Sequence, residues 1–259
     1  MDLMQAIILA IIQGMTEFLP VSSSAHLILL PKIIGWNDQG LLFDIALHFG
    51  TLLAVLIYFK NDLGQMIEDL LRNRGDNIMQ SDPMILIIAT IPVVIVGGLF
   101  NDWIENNLRS SNVIATTSII FGLILLASDK CGSDKNNLTL RIGLLIGLAQ
   151  ILALIPGVSR AGITMTAARF LNFNRVDSGK ISFLLSIPAL AGASFLGLKD
   201  AFNEPIELNY LIIIAVILSF LFSYVTVKFF LNYLNKFSLN IFVIYRIIIS
   251  LILFAIIYF

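Results

Sequence analysis

Long apolar runs separated by short polar loops follow one another along the whole chain. A bilayer core of about 30 Å, crossed at about 1.5 Å per residue, needs roughly 20 predominantly apolar residues in a helix. Runs of this length, or nearly so, predict six transmembrane helices at residues 43–59, 83–100, 113–128, 181–198, 210–229 and 241–259. The pattern therefore predicts an all-α polytopic membrane protein, with one integral membrane domain over residues 1–259.

Two further apolar runs are interrupted by polar and turn-forming residues. The first, within residues 3–30, is broken at residues 20–26, which include three consecutive serines. The second, within residues 142–170, is broken at residues 156–162, which begin with Pro-Gly. Irregular backbone at membrane depth is tolerated only where it is buried in protein or lines a wet cavity. Each interruption, called here the first break and the second break, is therefore a candidate functional site.

The distribution of lysine and arginine distinguishes full crossings from re-entrant hairpins at these two segments, because cytoplasmic loops carry an excess of both residues. If all eight segments cross, seven of these residues face one side and eight the other. If both broken segments enter and leave on the same side, the numbers become eleven and three. We therefore expect six transmembrane helices plus two re-entrant helix-loop-helix hairpins, with both termini outside. The first hairpin then dips from the outside and the second from the cytoplasm, so the two breaks meet near the middle of the membrane.

An internal repeat supports this arrangement. Gln13 and Gln150, 137 residues apart, each precede an apolar run that ends in a proline and a serine-bearing break. Each half then holds one hairpin and three crossings, and an odd number of crossings gives the halves opposite orientations. Inverted repeats with broken helices build binding sites near the bilayer midplane. The sequence thus predicts two inverted repeats, at about residues 1–128 and 138–259.

Composition excludes several functional classes. With 58% apolar and 13% charged residues, the chain is not an ordinary soluble enzyme. Lys+Arg 16 nearly balances Asp+Glu 17, so no basic excess favours nucleic acid. One cysteine, Cys131, and two histidines exclude a disulfide framework and a metal site rich in cysteine or histidine. No phosphate-binding glycine loop or dinucleotide fingerprint is present, so no organic cofactor is expected.

The first break combines a carboxylate, hydroxyl groups and an imidazole. Gln13 and Glu17 are four residues apart and share a helix face, and Ser22, Ser23 and His26 follow them. Each of these residues also has a purely structural interpretation. Glu17 could extend to the outer surface, the serines could cap the following helix, and His26 could be a hydrogen-bonded packing residue. Acidic residues inside a membrane are usually functional, however, which favours a site. Together with phosphate oxygens, Glu17 also suits a divalent cation, Mg²⁺ or Ca²⁺.

The second break offers Ser159, Arg160 and Thr164 in a turn that opens a new helix. Backbone N–H groups and the positive end of a helix favour an anion at such a place. The guanidinium of Arg160 adds a charged fork that fits phosphate. Arg160 can also form a structural ion pair with Glu17, and the two roles are compatible.

Three other polar residues receive lesser roles. Asp44 and His48 lie four residues apart in the first crossing, where they orient the site's groups or face a water-filled vestibule. Arg246 is expected to extend to lipid headgroups and is given no part in catalysis.

The sequence QGMTEFLPVSSSAH at residues 13–26, followed by PGVSRAG at residues 156–162, closely resembles the bacterial undecaprenyl-diphosphate phosphatase family, also called the bacitracin-resistance or BacA family. The resemblance extends to residues 43–50 and to Tyr245 and Arg246, and covers nearly the whole chain. It implies a multi-pass enzyme of the bacterial plasma membrane that hydrolyses undecaprenyl diphosphate to undecaprenyl phosphate and inorganic phosphate. This reaction recycles the lipid carrier for peptidoglycan and confers bacitracin resistance. The implied partners are the lipid substrate and the bilayer, and a homodimer is left open.

The resemblance also implies roles for individual residues. Glu17, Ser23, His26 and Arg160 fall on positions that the family treats as essential. Its paired acidic motif accepts Glu or Gln first, and the neutral Gln13 is not expected to act as an acid or base.

The mechanism that we expect uses both breaks. Arg160, Ser159 and Thr164 hold the diphosphate in a site open to the outer side, and Gln13 and Ser22 are further candidate substrate-binding residues. Ser23 is the candidate nucleophile, with His26 or Glu17 taking its proton, and His26 as direct nucleophile is the rival. A second functional class is a polyprenyl-phosphate transporter that uses the same midplane site. Phosphate release by purified protein in detergent distinguishes the two classes.

Overall fold

The structure, a computed structural model, describes residues 1–72, 78–132, 137–201 and 210–258. These residues form α-helices that we number in chain order: α1 Leu3–Thr16, α2 Ser23–Ile34, α3 Leu41–Tyr58, α4 Lys60–Arg72, α5 Asp82–Leu108, α6 Ser111–Asp129, α7 Leu140–Gln150, α8 Arg160–Phe170, α9 Arg175–Ala201, α10 Tyr210–Leu234 and α11 Asn240–Tyr258. Among the described residues, six helices (α3, α5, α6, α9, α10 and α11) are long and apolar enough to cross a membrane. They coincide with the six predicted spans and confirm the all-α membrane class.

Polar residues extend the helices beyond the apolar runs. Helix α5 has 27 residues instead of the 18 of its predicted span, because the polar segment 101–108 continues its helical turns. Helix α4, rich in charged residues, was not predicted at all. Apolar runs indicate only the part of a helix that lies in hydrocarbon. Helical turns outside the hydrocarbon are polar and are therefore not predicted from these runs.

Each broken segment folds back on itself. Near the start of α1, the Gln5 side chain donates a hydrogen bond to the carbonyl of Asn37, just beyond α2 (2.9 Å). At the end of α8, Arg169 Nη2 donates to the carbonyl of Asp129 (2.8 Å), which ends α6 shortly before α7 begins. Each helix-break-helix segment therefore has its own start and its own end on the same side of the molecule.

The two hairpins enter from opposite ends. Lys32, in the last turn of α2, contacts the carbonyl of Arg109 immediately before α6 (3.3 Å), whereas α8 ends beside Asp129 at the other end of α6. Helix α6 has 19 residues and is therefore about 28 Å long. The opposed hairpins agree with the predicted geometry, and their re-entrant position in a membrane stays a prediction.

Ion pairs at the α8 end of the molecule agree with the predicted charge distribution. Arg175 makes two hydrogen bonds to the buried Asp129 carboxylate (2.6 and 2.9 Å), and Lys180 pairs with Asp62. All four groups lie in regions assigned to the cytoplasmic side. The charge count also uses Arg74 and Lys135, which lie outside the described residues, as do the side chains of Arg72 and Lys199.

Packing between the two halves is reciprocal. Helix α1 packs on α10 and helix α7 packs on α5. Each contact is so close that only glycine fits: an added Cβ at Gly14 would lie 2.8 Å from the Ser219 carbonyl oxygen, and one at Gly147 would lie 2.0 Å from that of Ala89. This exchange of partners is what an inverted repeat produces. The division into repeats at about residues 1–128 and 138–259 stays a prediction, and the reciprocal packing is consistent with it.

An aromatic core fixes the end of α1. The ring of Phe18 meets the edge of Phe183 at a centroid distance of 5.1 Å, and Phe183 in turn contacts Phe59 and Phe230. Because Phe18 directly follows Glu17, this core also fixes the position of the Glu17 carboxylate.

Candidate active site

The two breaks meet inside the protein, as predicted. Gly157 N donates to Ser22 Oγ (3.3 Å), and Ser159 Oγ donates to the carbonyl of Leu19 (3.5 Å). Thr117, in the middle part of α6, donates to the carbonyl of Pro156 (2.7 Å). The junction therefore lies between the ends of a membrane-crossing helix and not at its surface.

The same strained backbone occurs in both breaks. Ser22 and Ser159 each precede a helix and have φ angles of 70° and 73°. An L-residue in this left-handed region costs about 1–3 kcal/mol and persists only where its surroundings enforce it. Ser159 Oγ accepts a hydrogen bond from Gly162 N at the start of α8 (3.1 Å), whereas Ser22 Oγ instead accepts from Gly157 N of the second break (3.3 Å).

Glu17 lies at the centre of the site and joins the two hairpins. Its Oε2 accepts hydrogen bonds from Ser23 Oγ (2.6 Å) and Gln13 Nε2 (3.0 Å), and its Oε1 accepts from Arg160 Nη2 (2.9 Å). The carboxylate is buried, with a side-chain exposure of 6%. A hydroxyl, a carboxylate and a guanidinium thus occupy one sheltered place.

Arg160 is held from three directions. Its Nη1 donates to the carbonyl of Ser182 in α9 (3.0 Å), and its guanidinium lies 5.7 Å above the Phe18 ring. The Thr164 hydroxyl contacts the Arg160 carbonyl and Ser182 Oγ, both at 2.8 Å. Ser182 was not among the predicted site residues. The signal was a serine every fourth residue in α9, at positions 178, 182 and 186, all fully buried.

His26 faces away from the Glu17 cluster. Its Nδ1 donates to the carbonyl of Ser22 (2.7 Å), since a carbonyl oxygen only accepts. Its Nε2 lies 2.6 Å from the hydroxyl of Tyr245, and the two rings are stacked. Both ring nitrogens are therefore engaged elsewhere than at Ser23. Tyr245 carried no signal in the sequence apart from the family resemblance.

Asp44 and His48 separate in the structure. His48 Nδ1 donates to the backbone carbonyl of Asp44 (2.7 Å), which leaves Nε2 at 3.8 Å from Glu17 Oε2. The Asp44 carboxylate instead accepts from Gln39 Nε2 (2.9 Å). His48 is thus a neighbour of the site, while the Asp44 carboxylate faces another loop.

The expectation for Arg246 was wrong. Its side chain is buried, with 1% of the residue exposed, and donates to the carbonyls of Ser118 (3.0 Å), Gly157 (2.7 Å) and Pro20 (3.4 Å). A long side chain extends to headgroups when it has no better partner. Here the irregular backbone of both breaks supplies carbonyl groups that no helix satisfies, and Arg246 binds them.

Comparison with known proteins identifies the family. The family model "Bacitracin resistance protein BacA" matches residues 6–252. The chain belongs to the BacA family. It is 56% identical to an undecaprenyl-diphosphatase of Pelagibacter ubique, over 99% of this chain and 98% of the relative. It is 46% identical to an undecaprenyl-diphosphatase of Alcanivorax borkumensis (96% and 97% covered) and 44% identical to one of Campylobacter curvus (98% and 98% covered).

BacA membership agrees with the family resemblance that the two breaks carry. These relatives are named for a diphosphatase, and the alternative of a lipid transporter finds no support among them. A multi-pass membrane protein follows from this membership together with the six long apolar helices of the described residues.

The oxygen atoms around Glu17 fit a hard cation only with help from the substrate. Within the described part of this BacA chain, no three His, Cys, Asp or Glu side chains come together to hold a metal ion. Gln13 Oε1, however, is buried and accepts no hydrogen bond from any described residue, although its amide nitrogen donates to Glu17. A divalent cation prefers oxygen ligands and is often held by one or two protein groups plus phosphate oxygens.

Proposed function

We propose that the chain hydrolyses undecaprenyl diphosphate to undecaprenyl phosphate and inorganic phosphate inside the membrane. BacA membership and the names of the relatives support this substrate. The observation that carries the chemistry is the cluster of Ser23, Glu17 and Arg160, contributed by both hairpins and sheltered from solvent. The cluster unites a nucleophile, a base and an anion-binding group within hydrogen-bond reach.

The charges at the junction favour a diphosphate. The guanidinium groups of Arg160 and Arg246 lie beside the breaks, and the Glu17 carboxylate pairs with Arg160. Two fixed positive charges against one negative charge attract an anionic headgroup that hydrocarbon would reject. The Arg160 fork suits two phosphoryl oxygens at once, and Ser159 and the start of α8 add hydrogen-bond donors.

The reaction that we propose begins with Ser23. Its Oγ attacks the terminal phosphorus of the diphosphate and passes its proton to Glu17 Oε2, which lies 2.6 Å away. A bond forms between Oγ and phosphorus, the bridging P–O bond breaks, and undecaprenyl phosphate leaves. Glu17 gives this proton to the departing undecaprenyl phosphate, then deprotonates a water molecule that hydrolyses the phosphoserine, and returns the water's proton to Ser23 Oγ as inorganic phosphate leaves. Arg160 stabilises the negative charge on the transferred phosphoryl oxygens in both steps.

His26 as the nucleophile is the weaker alternative, because Ser22 and Tyr245 occupy both its ring nitrogens. A label on the terminal phosphate separates the two routes. Phosphoserine survives an acid quench, whereas phosphohistidine is hydrolysed by it. We expect an acid-stable label at Ser23. An acid-labile label at His26 would instead show that His26 is the nucleophile.

A divalent cation, Mg²⁺ or Ca²⁺, fits the oxygen atoms of Gln13 and Glu17 together with substrate phosphate oxygens. When bound, it would neutralise phosphate charge. Gln13 and Glu17 would hold it, and Arg160 and Ser23 keep the roles given above.

The site is proposed to open to the outer side of the plasma membrane. Eleven of the lysine and arginine residues lie on the opposite side in the predicted topology, against three on this one. The product would then appear on the outer side of the membrane.

The test is phosphate release from undecaprenyl diphosphate by purified protein in detergent, where transport has no meaning. We expect release by the wild type, a loss of at least about 100-fold in Glu17→Ala, and no change in Glu105→Ala, an exposed carboxylate of α5. The same assay with a chelator decides whether a cation is required. A folded wild-type protein that releases no phosphate would refute the proposal.

A further inference from the structure

A cavity of about 150 Å³ lies on the face of the first hairpin that His26 occupies, between helices α1, α2, α6 and α11. Its walls are almost entirely apolar and include Ile12, Ala25, Leu29, Ile114, Ile249 and Leu253. The side chains of His26, Tyr245, Ser118 and Arg246 supply its polar lining. An apolar cavity with a few polar groups is the usual form of a ligand site.

The polar lining marks the end of the cavity that is next to the breaks. Along α2, the lining residues are His26, then Leu29 and finally Ile33, about one turn apart, and α11 repeats this order from Tyr245 through Ile249. Arg246, beside Tyr245, binds carbonyls of both breaks. The cavity thus starts at the junction of the breaks and continues between α2 and α11 as an apolar channel.

The first turn of α2 connects this cavity to the Glu17 cluster. Ser23, in that turn, bonds to Glu17 on one side of the hairpin, and His26, three residues later, lines the cavity on the other. Residues three apart in a helix are neighbours. A molecule with its terminal phosphate at Ser23 therefore directs its second phosphate, and the isoprene unit attached to that phosphate, toward the mouth of the cavity.

The size of the cavity limits what it holds. An engineered apolar cavity of about 150 Å³ binds benzene, a molecule of six carbon atoms. One isoprene unit has five. A chain of eleven such units cannot fit, so only the unit next to the headgroup is held and the rest remains in lipid.

We propose that this cavity binds the isoprene unit attached to the diphosphate of the substrate, with His26 and Tyr245 at its mouth. This inference rests on the proposed function and adds to it a subsite for the lipid chain. Binding of one branched isoprene unit beside the headgroup positions the scissile diphosphate at Ser23. Because only this unit is bound, the total length of the isoprenoid chain should not affect recognition.

The kinetic test fills the cavity from α11. Ile249→Phe places a larger ring into the cavity, and Ile248→Phe, at an exposed neighbour that does not line it, is the matched control. With farnesyl diphosphate as substrate, we expect Ile249→Phe to raise KM by about tenfold or more, because contacts with several buried carbons are lost. Methyl diphosphate has the headgroup without the isoprenoid chain, so its KM should change equally little in both variants. Equal KM values for farnesyl diphosphate in both variants would overturn the proposal.

A binding test on the unaltered protein makes the inference independent of catalysis and of variant folding. Farnesyl phosphate with a photoreactive diazirine on the first isoprene unit should label peptides of α2 and α11. Excess farnesyl phosphate should suppress the label, and phospholipid should not. Label elsewhere, or suppression by phospholipid, would overturn the proposal, and in the latter case the occupant is an acyl chain of the membrane. Labelling of α2 and α11 without phosphate release would refute the proposed hydrolysis while retaining the subsite.

Discussion

The Glu17 carboxylate obtains its partners from segments far apart in sequence. Ser23 and Gln13 come from the first hairpin, and Arg160 comes from the second. The residue types at the two breaks were predictable from sequence, because serines, a carboxylate and an arginine are costly in hydrocarbon without a task. Their pairing with one another follows once the two breaks meet, as the sequence also predicted.

Other contacts were not predictable at this scale. Tyr245 and Arg246 lie within α11, where no break distinguishes a site residue from a packing residue, and Ser182 is marked only by the serine repeat of α9. Their partners, Arg160, His26 and the break carbonyls, are decided by helix packing, which a single sequence does not give.

The two related glutamines provide a test at the residue scale. Gln13 donates to Glu17, whereas Gln150 is fully buried and its amide atoms have no hydrogen-bond partner within the described residues. We expect Gln13→Met to lower kcat/KM by about tenfold or more, because a charge-assisted hydrogen bond is worth roughly 1.5–3 kcal/mol. Gln150→Met should keep full activity and an equal or higher Tm, since it removes an unpaired buried amide. Equal losses of activity in both variants would contradict these assignments.

Helices and breaks depend on each other through Arg246. Its guanidinium joins α11 to the middle of α6 and to both breaks. The helices themselves were predictable from apolar runs and the breaks from their turn residues. The connection between them was not, because it consists of bonds to backbone carbonyls, which carry no side-chain signature.

Removal of this connection should destabilise the fold. Arg246→Met leaves buried carbonyl groups without donors, at about 1–3 kcal/mol each, so we expect a Tm in detergent lower by several degrees and a loss of phosphate release. The control is Arg109→Met, which changes a partly exposed arginine paired with Glu105 and should alter stability by less than about 0.5 kcal/mol. Equal Tm values for the two variants would show that the buried guanidinium does not support the breaks.

The whole molecule is organised by two opposed hairpins, an arrangement predicted from the interrupted apolar runs, the lysine and arginine distribution and the internal repeat. The lysine and arginine bias can indicate such a topology because it depends on the side of the membrane on which each loop lies and not on packing, and the re-entrant position of the hairpins stays a prediction. The structure agrees with it through the contacts of Lys32 with Arg109 at one end of α6 and of Arg169 with Asp129 at the other.

The orientation of the molecule in the membrane has a direct test. Cys131, the single cysteine of the sequence, is exposed and lies at the end assigned to the cytoplasm. In intact bacteria, a membrane-impermeant maleimide should leave Cys131 unlabelled until the membrane is permeabilised. A Cys131→Ala chain carrying Asn37→Cys, at an exposed position on the opposite end, should be labelled at once. The reverse result would invert the topology.

The central claim is that the two breaks together form one active site, and the rate of phosphate release from undecaprenyl diphosphate tests it most directly. We expect Ser23→Ala in the first break and Arg160→Ala in the second each to lower the rate by about 100-fold or more, with the double variant no slower than the poorer single one. Ser24→Ala and the exposed Arg141→Ala are the matched controls and should retain the wild-type rate. Full activity after either Ser23→Ala or Arg160→Ala, in a chain that remains folded, would contradict the account.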